Sequence, residues 1–371
     1  MWGVTEAWIK TAGESEEGQE EPDPEVLRRF EPIVNEHFRL TDLSHEVNRE
    51  LHRLCLHHNA FSPDCLITAK NFPSPVEKSG DAAAEEIPGE RSIPFESAEA
   101  VIKRTKLPSM PSIVMRINEA IANPQCTATH IADIISKDSS LAARLLRLVN
   151  SPFYNFPAEI NSIARAVTII GFRQLSLLAV GTLVASSFKD IPPGILNMQS
   201  FWKHSIACGI IARILSSYKQ NSNTENYFLA GLLHDIGHLI IYQNFPRHAV
   251  QILAASAEQP GRIHQMEKEL LGTDHTELGS LLSHKWRLSQ IFEFACHYHH
   301  APMESPDRVV SSIIHLADII AAAMYFGKSC VCYVPPLDNN AWEELDLPVS
   351  ILAPTVTQTA QLLKATVNIY T

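Results

Sequence analysis

The residues able to do chemistry gather around one apolar stretch, Leu232-Leu233-His234-Asp235-Ile236-Gly237-His238. An imidazole next to a carboxylate inside an apolar helix is costly unless both find partners, and a metal ion satisfies both at once. Further candidates follow along the chain on separate expected helices. His204 precedes the stretch and His275 starts a later helix. His297, His299 and His300 surround a helix end, and Asp318 lies within Ile314-His315-Leu316-Ala317-Asp318-Ile319-Ile320. Mixed imidazole and carboxylate ligands suit a divalent transition metal such as iron, manganese, zinc or nickel, and argue against a thiolate site. The chain has 17 histidines, so some clustering is expected, and a lone histidine on an apolar face is ordinarily a hydrogen-bonded core residue. The order His … His-Asp … His … His-His … Asp, one group to a helix, lifts this set above that background.

The elements that must position these residues read as helix after helix. Pro111 suits a first helical position, with Ile113, Ile117 and Ile121 following on one face. Thr127 can cap a short helix through Ile135 and Asp138 another through Leu148. A helix over 163–170 ends at Gly171, a good residue for leaving a helix. Helices are then expected over 173–188, 201–217, 226–245, 247–258, 263–271, 276–286, 289–298 and 309–326, and a last one over 354–364 opened by Pro354. No segment alternates with period two and no internal repeat stands out, so the expected fold is all-α. Upstream, apolar residues recur at helical spacing over 25–58, suggesting two short helices with Thr41 and Asp42 as the cap before Leu43. Residues 61–95 hold Pro63, Pro73, Pro75, Pro88 and Pro94 and read as a Pro-rich linker, leaving 25–60 as a short helical segment.

Composition narrows the class. A chain of 371 residues with 45% hydrophobic and 19% charged residues is too apolar to be wholly disordered, collagenous or a disulfide scaffold. Seven cysteines (Cys55, Cys65, Cys126, Cys208, Cys296, Cys330 and Cys332) form no Cys-x-x-Cys pair, which removes zinc ribbons and thioredoxin-like motifs. Cys330 and Cys332 read as two buried thiols, and reduced cysteines with no leader segment point to the cytoplasm. Residues 1–100 carry 21 acidic and 9 basic side chains, whereas 101–371 carry 20 and 21. The acidity therefore belongs to the N-terminal quarter, and residues 1–24 are expected to be a disordered acidic tail, either solubilising or docking a basic partner. The longest apolar run, Leu175 to Phe188, falls short of the roughly 20 residues a membrane span requires.

Two other chemistries fit single features. His234 and His238 lie four apart on a helix face, as in a His-Glu-x-x-His zinc protease, but Asp235 is a shorter-armed base and Gly237 weakens the helix. Residues 127–150 could form a helix-turn-helix with Arg144 and Arg147 on its second helix. That helix also carries Leu141, Leu145, Leu146, Leu148 and Val149, which look like core, and the near-neutral 101–371 region lacks the positive field of a DNA-binding surface. Direct nucleic-acid binding is not expected.

Residues 107–325 resemble the HDOD domain, the HD-related output domain of bacterial signalling proteins within the HD superfamily of metal-dependent phosphohydrolases. The resemblance rests on Leu107-Pro108-Ser109-Met110-Pro111, on Leu145-Leu146-Arg147-Leu148-Val149-Asn150-Ser151-Pro152-Phe153-Tyr154, on Ser162-Ile163-Ala164-Arg165-Ala166-Val167 and on Ile170-Gly171. It continues through Phe201-Trp202-Lys203-His204-Ser205, Ala230 to Gly237, Asp274-His275, Trp286, His299-His300 and Ala317-Asp318. Ala341-Trp342-Glu343-Glu344-Leu345 resembles the tail that often follows such domains. The resemblance implies a two-lobed helical fold, with an N-terminal lobe over 96–197, an HD-like bundle over 198–328 and a C-terminal loop and helix over 329–371. It implies a regulatory output or adaptor module with a protein partner in a signalling pathway. His204, His234, Asp235, His275, His299 or His300, and Asp318 match the positions that bind metal in HD enzymes. The alternative it implies is a metal-dependent phosphohydrolase acting on a nucleotide or phosphodiester, in which Asp235 or Asp318 would hold the metal and orient the attacking water. Two features depart from active relatives: no Gly-Tyr-Pro motif occurs, and the lysine that often follows His-Asp by three residues is here His238.

Overall fold

The structure, a computed structural model, describes residues 24–61, 98–188, 191–192, 195–219, 223–259, 261–327 and 333–370. The acidic tail expected over 1–24 lies outside the described residues but for Pro24, the linker expected over 61–95 but for Phe61, and Cys65, Cys330 and Cys332 lie outside them too. Among the described residues every regular element is a helix.

Residues 98–188 carry six helices: α3 (Ala98–Arg104), α4 (Ser112–Ala122), α5 (Ala128–Ser136), α6 (Ser139–Val149), α7 (Ile163–Ile170) and α8 (Phe172–Ser186). Their starts follow from local chemistry. The Thr127 hydroxyl accepts from the His130 amide at 3.2 Å and the Asp138 carboxylate from the Leu141 amide at 2.9 Å, each satisfying a donor that a helix start leaves unpaired. Gly171, at φ +98°, provides the turn by which α7 passes into α8. Leu141, Leu145, Leu148 and Val149 are buried, so the second helix of the helix-turn-helix reading packs inward.

The remaining helices begin with the central α9 (Met198–Tyr218), followed by α10 (Thr224–Leu233), α11 (Ile236–Asn244), α12 (Pro246–Glu258), α13 (Ile263–Leu271), α14 (His275–Lys285), α15 (Gln290–Tyr298) and α16 (Arg308–Ala323). After them come α17 (Asn339–Leu345) and α18 (Leu352–Tyr370). Helix α9 packs against α10, α16 and α18. Its crossing with α10 is close because glycines meet there. A Cβ on Gly231 would lie 2.7 Å from the Cys208 carbonyl, and one on Gly209 would lie 2.6 Å from the Phe228 oxygen. That approach brings His204 and His234 to a ring separation of 5.7 Å.

Several contacts tie residues 98–188 to the later helices, two of them from Trp286 and Arg213. The Trp286 indole N–H donates to the Pro108 carbonyl at 3.0 Å. The Arg213 guanidinium lies 4.2 Å from the Phe153 ring centroid and donates to the Phe153 carbonyl at 3.1 Å. The N-terminal helices, α1 (Pro24–His37) and α2 (Glu46–Phe61), pack on one another, and α2 lies against α16 and α18. His37 stacks on Tyr325 at 3.9 Å and donates through Nε2 to the Ala322 carbonyl at 3.0 Å, while its own carbonyl accepts from Val334.

Three expectations require correction. The second N-terminal helix begins at Glu46 rather than Leu43, because the Asp42 carboxylate accepts from the Ser44 amide in a turn before it. The helix expected over 309–326 stops at Ala323, where Tyr325 takes φ +52° and Gly327 φ +86°. Most consequentially, the single helix expected over 226–245 is broken at His234 and Asp235. No single helix among the described residues is long and apolar enough to cross a membrane; α7 and α8 together pass by length and composition but meet at 119°.

Candidate metal centre

The break between α10 and α11 places the chemistry. In an unbroken helix neighbouring side chains point about 100° apart, so His234 and Asp235 could not both face one point. Here Asp235 leaves the helical region at φ −97° and ψ 9°, and both side chains turn to the same cluster. What forces the break is the start of α11 pressed against the start of α14: a Cβ on Gly237 would sit 1.8 Å from the His275 oxygen. Asp274 caps α14, accepting from the Thr276 and Glu277 amides at 2.9 and 3.0 Å, which fixes His275 as the helix's first residue.

Backbone carbonyls and a carboxylate set the tautomers of three imidazoles. A carbonyl can only accept, so the ring nitrogen facing it carries the proton and the other nitrogen holds the lone pair. His234 donates through Nδ1 to the Gly231 carbonyl at 2.8 Å, and His299 through Nδ1 to the Cys296 carbonyl at 2.9 Å. His275 donates through Nδ1 to Glu267 at 2.6 Å. The His299 carbonyl in turn accepts from His315 Nδ1 at 2.7 Å. The three lone-pair-bearing Nε2 atoms therefore turn towards Asp235, at 3.5 Å from His234, 3.5 Å from His299 and 3.9 Å from His275. Asp318 comes in from α16, 3.0 Å from His204 Nε2 and 3.9 Å from His234 Nε2.

Burial sets the charge states. Burial is the largest influence on His234 and pushes it down to about 4. Burial alone would raise Asp235, but the surrounding imidazoles, His234 first and then His238, outweigh it and hold the carboxyl well below the usual range. Asp318 is also held down, its burial outweighed by the His204 hydrogen bond and charge. Ionised carboxylates beside a neutral His234 are the states a cation requires of its ligands. The buried Nε2 atoms of His234 and His299 have no hydrogen-bond partner, a cost of about 1–3 kcal/mol each that a bound cation would remove. The donor set therefore fits a divalent transition metal.

All seven residues expected as ligands, His204, His234, Asp235, His275, His299, His300 and Asp318, come to this one region. His300 is the exposed member: its Nε2 lies 3.1 Å from that of His275, its ring is 4.1 Å from that of His299, and the three can share an ion. His297 remains outside the sets of side chains able to share an ion. A cavity of about 510 Å3 opens over the cluster, its lining including His204, Asp235, His238, His300 and Asp318. Three participants were missed. Cys208, which the argument against a thiolate discounted, lies 3.4 Å from His204 Nε2 and can share an ion with His204, His234 and Asp318. Its position four residues after His204 on an apolar helix was the available signal. Burial raises the Cys208 thiol well above its ordinary pKa, so it is a thiol at neutral pH. The others are Glu267 and His238, the latter read only as a departure from a motif or a protease ligand.

The HDOD domain family model matches residues 107–302. This chain belongs to the HDOD family. An uncharacterized protein of Treponema pallidum (strain Nichols) is 26% identical over 205 residues, covering 54% of this chain and 39% of that protein. This HDOD chain thus matches about two fifths of the length of that curated relative. Its fold is similar to that of an HDOD domain protein of unknown function from Geobacter sulfurreducens, 24% identical with a TM-score of 0.61 over 74% of this chain and 97% of that one. It is also similar to a proposed phosphohydrolase from Shewanella amazonensis SB2B, 24% identical with a TM-score of 0.61 over 73% and 98%.

Proposed function

We propose that this chain is a regulatory HDOD module, an output or adaptor protein of a signalling pathway, whose HD-like bundle holds a divalent transition metal ion at the floor of its cavity. The observation that carries the metal reading is the convergence of buried imidazole lone pairs, two of them without any hydrogen-bond partner, on ionised Asp235 and Asp318. His204, His234, Asp235 and Asp318 would hold the ion, with His275, His299 and His300 beside them. Family membership supports the signalling role, and the docked helices α1 and α2 add a surface beside the cavity for a protein partner.

The test is metal content. Full-length protein purified without immobilised-metal chromatography should carry near-stoichiometric iron, manganese, zinc or nickel. A His234→Ala/Asp235→Ala double variant with unchanged far-UV circular dichroism should lose it. Equal, near-zero metal in both would leave these residues as bundle-packing residues and refute the reading.

A second reading is favoured by the cavity, which is large enough for a small anionic ligand to approach Asp235 and Asp318. In that reading the chain is a metal-dependent phosphohydrolase acting on a nucleotide or phosphodiester. A bound divalent ion supplies Lewis acidity towards a phosphoryl oxygen and lowers the pKa of water. Asp235 and Asp318 would orient the water, and the enclosing imidazoles would limit solvent access. Metal-dependent turnover of a generic phosphodiester or of a nucleotide panel, abolished in folded His234→Ala, is the result this reading requires.

A further inference from the structure

The cavity over the cluster is not walled by the family-matched residues 107–302 alone. His37, Ala322, Tyr325, Tyr333, Pro335 and Pro336 also line it. The first of these belongs to α1, and the others to the end of α16 and the segment before α17. On α1, Phe30, Val34 and His37 share the buried face, so a polar ring ends an otherwise apolar row. Burying an imidazole is costly unless it is hydrogen-bonded. His37 meets that need at the cavity's edge. Its ring stacks on Tyr325 at 3.9 Å and 17°, Nε2 donates to the Ala322 carbonyl at 3.0 Å, and its own carbonyl accepts from the Val334 amide at 2.9 Å.

Beyond His37 the chain turns. The Phe38 carbonyl accepts from the Thr41 amide at 2.9 Å and from the Thr41 hydroxyl at 2.7 Å. The turn carries Leu40 to the opposite rim, where its Cδ1 lies 3.2 Å from the place a Cβ on Gly261 would take. Gly261 and Ile263, at the start of α13, line the cavity there. From His37 to Leu40 the backbone can reach at most about 10 Å. Within that reach it crosses from the end of α16 to the start of α13. The segment 333–338 is pinned beside it at two points: the Val334 amide on His37, and the Asp338 amide donating to His315 Nε2 at 3.0 Å. Between those pins, Pro335 and Pro336 have no amide hydrogen with which to add another.

We propose that the turn 37–41, latched by His37 to α16 and to the segment 333–338, is a movable cover over the cavity, and that the N-terminal helices thereby set access to the site beneath. The inference rests on the proposed metal centre for what is guarded, and assigns its regulation. The latch is made of two hydrogen bonds and a ring stack at one rim and a half-exposed leucine at the other. A joint of that kind opens locally at far lower cost than the bundle unfolds. Covers of this kind admit ligand when open and exclude water when closed. Access to the centre is then decided by helices outside the matched family region, where a regulatory signal can reach them without touching the bundle.

The test is the rate at which diethyl pyrocarbonate acylates individual histidines of the chelator-treated full chain, read by peptide mass spectrometry. His238 is the reporter, because it lines the cavity and is buried. His284, on the outside of α14 with a side chain 78% exposed, and His248, buried in α12 away from the cavity, are the controls. In the wild type His238 should react far more slowly than His284. His37→Ala removes the stack and the bond to Ala322, and should speed His238 about tenfold with both controls unchanged. Leu40→Ala loosens the other rim and should speed it less; its half-exposed position keeps the fold, so it carries the test if His37→Ala does not fold. An unchanged His238 rate in the folded variants overturns the proposal. So does a wild-type His238 as reactive as His284, or an equal rise at His248, which would mean general loosening. Elemental analysis before chelation decides the metal centre separately. A responsive His238 in a chain that holds no metal supports the cover and refutes the centre, and bound metal with an unresponsive His238 does the reverse.

Discussion

Replacing Gly237 by alanine tests the joint on which the site is built. A Cβ there would stand 1.8 Å from the His275 oxygen, 2.6 Å from its carbonyl carbon and 2.8 Å from its Cα. Real contacts of this kind do not fall below 3.0 Å, so α11 and α14 would have to part by at least about 1.2 Å. Every obstructing atom is backbone, so no side chain can swing away. Alanine is the better helix former by about 1 kcal/mol, which favours the variant. Overpacking a close-packed junction costs about 1–3 kcal/mol or more and should win. A built-in control is Gly181→Ala in α8, where the new Cβ would meet Leu229 Cδ1 at 2.7 Å and Leu232 Cδ2 at 3.1 Å, both ends of flexible side chains. Urea denaturation of the two variants should therefore separate them. Gly237→Ala should lose about 1–2 kcal/mol with an unchanged m-value and a much weaker metal affinity, while Gly181→Ala should stay within about 1 kcal/mol of the wild type. If Gly237→Ala is as stable as Gly181→Ala and binds metal normally, the contact between α11 and α14 is wrong, and with it the placing of Asp235 against His275.

Two further outcomes follow from the same geometry. In the metal-free chain His234 should make stability depend on pH. Its folded pKa of about 4 lies below the ordinary 6.5, so the unfolded chain takes up the proton first. Its contribution is therefore constant above pH 6.5 and declines as the pH falls towards 4, by about 3 kcal/mol in all. His234→Gln should flatten the urea-midpoint profile in that window, and an unchanged slope would count against a neutral, buried His234. At the other end of the molecule, Asp138→Ala should cost about 1 kcal/mol through the lost cap of α6 while leaving metal content unchanged; a loss of metal would mean that the early helices support the site more directly than their packing implies.

Much of this fold is written in local signals. Thr127, Asp138, Ser162 and Gly171 bound helices where their chemistry says they should, because capping is decided within four residues. The candidate ligands were legible for another reason: imidazoles and carboxylates in apolar runs are expensive and invite a shared explanation. What the sequence hid is non-local. Within residues 226–245 Gly237 weakens the helix but does not place the break, at which the backbone of His275 arrives against Gly237. Glu267 drew no reading from the sequence, although its spacing from Ile263 and Leu271 places it on the apolar face. An imidazole and carboxylate donor set argues against a thiolate and so passes over Cys208, which lies one turn from His204. The docking of α1 and α2 beside the cavity had no signature at all.

That docking has a consequence for the order of events at the ribosome. His37 finds its acceptor at Ala322, 285 residues later in the chain. At about 5–20 residues per second, α1 and α2 must wait roughly 15–60 s for the surface that receives them. During that interval Phe30, Val34, Phe38, Val47, Leu51 and Cys55, all buried at the end, have only each other for cover. His204 likewise waits 114 residues for Asp318. Helices α1 and α2 are thus made early and settle late, and the nascent chain carries their apolar faces well before it has a centre that could accept a metal ion.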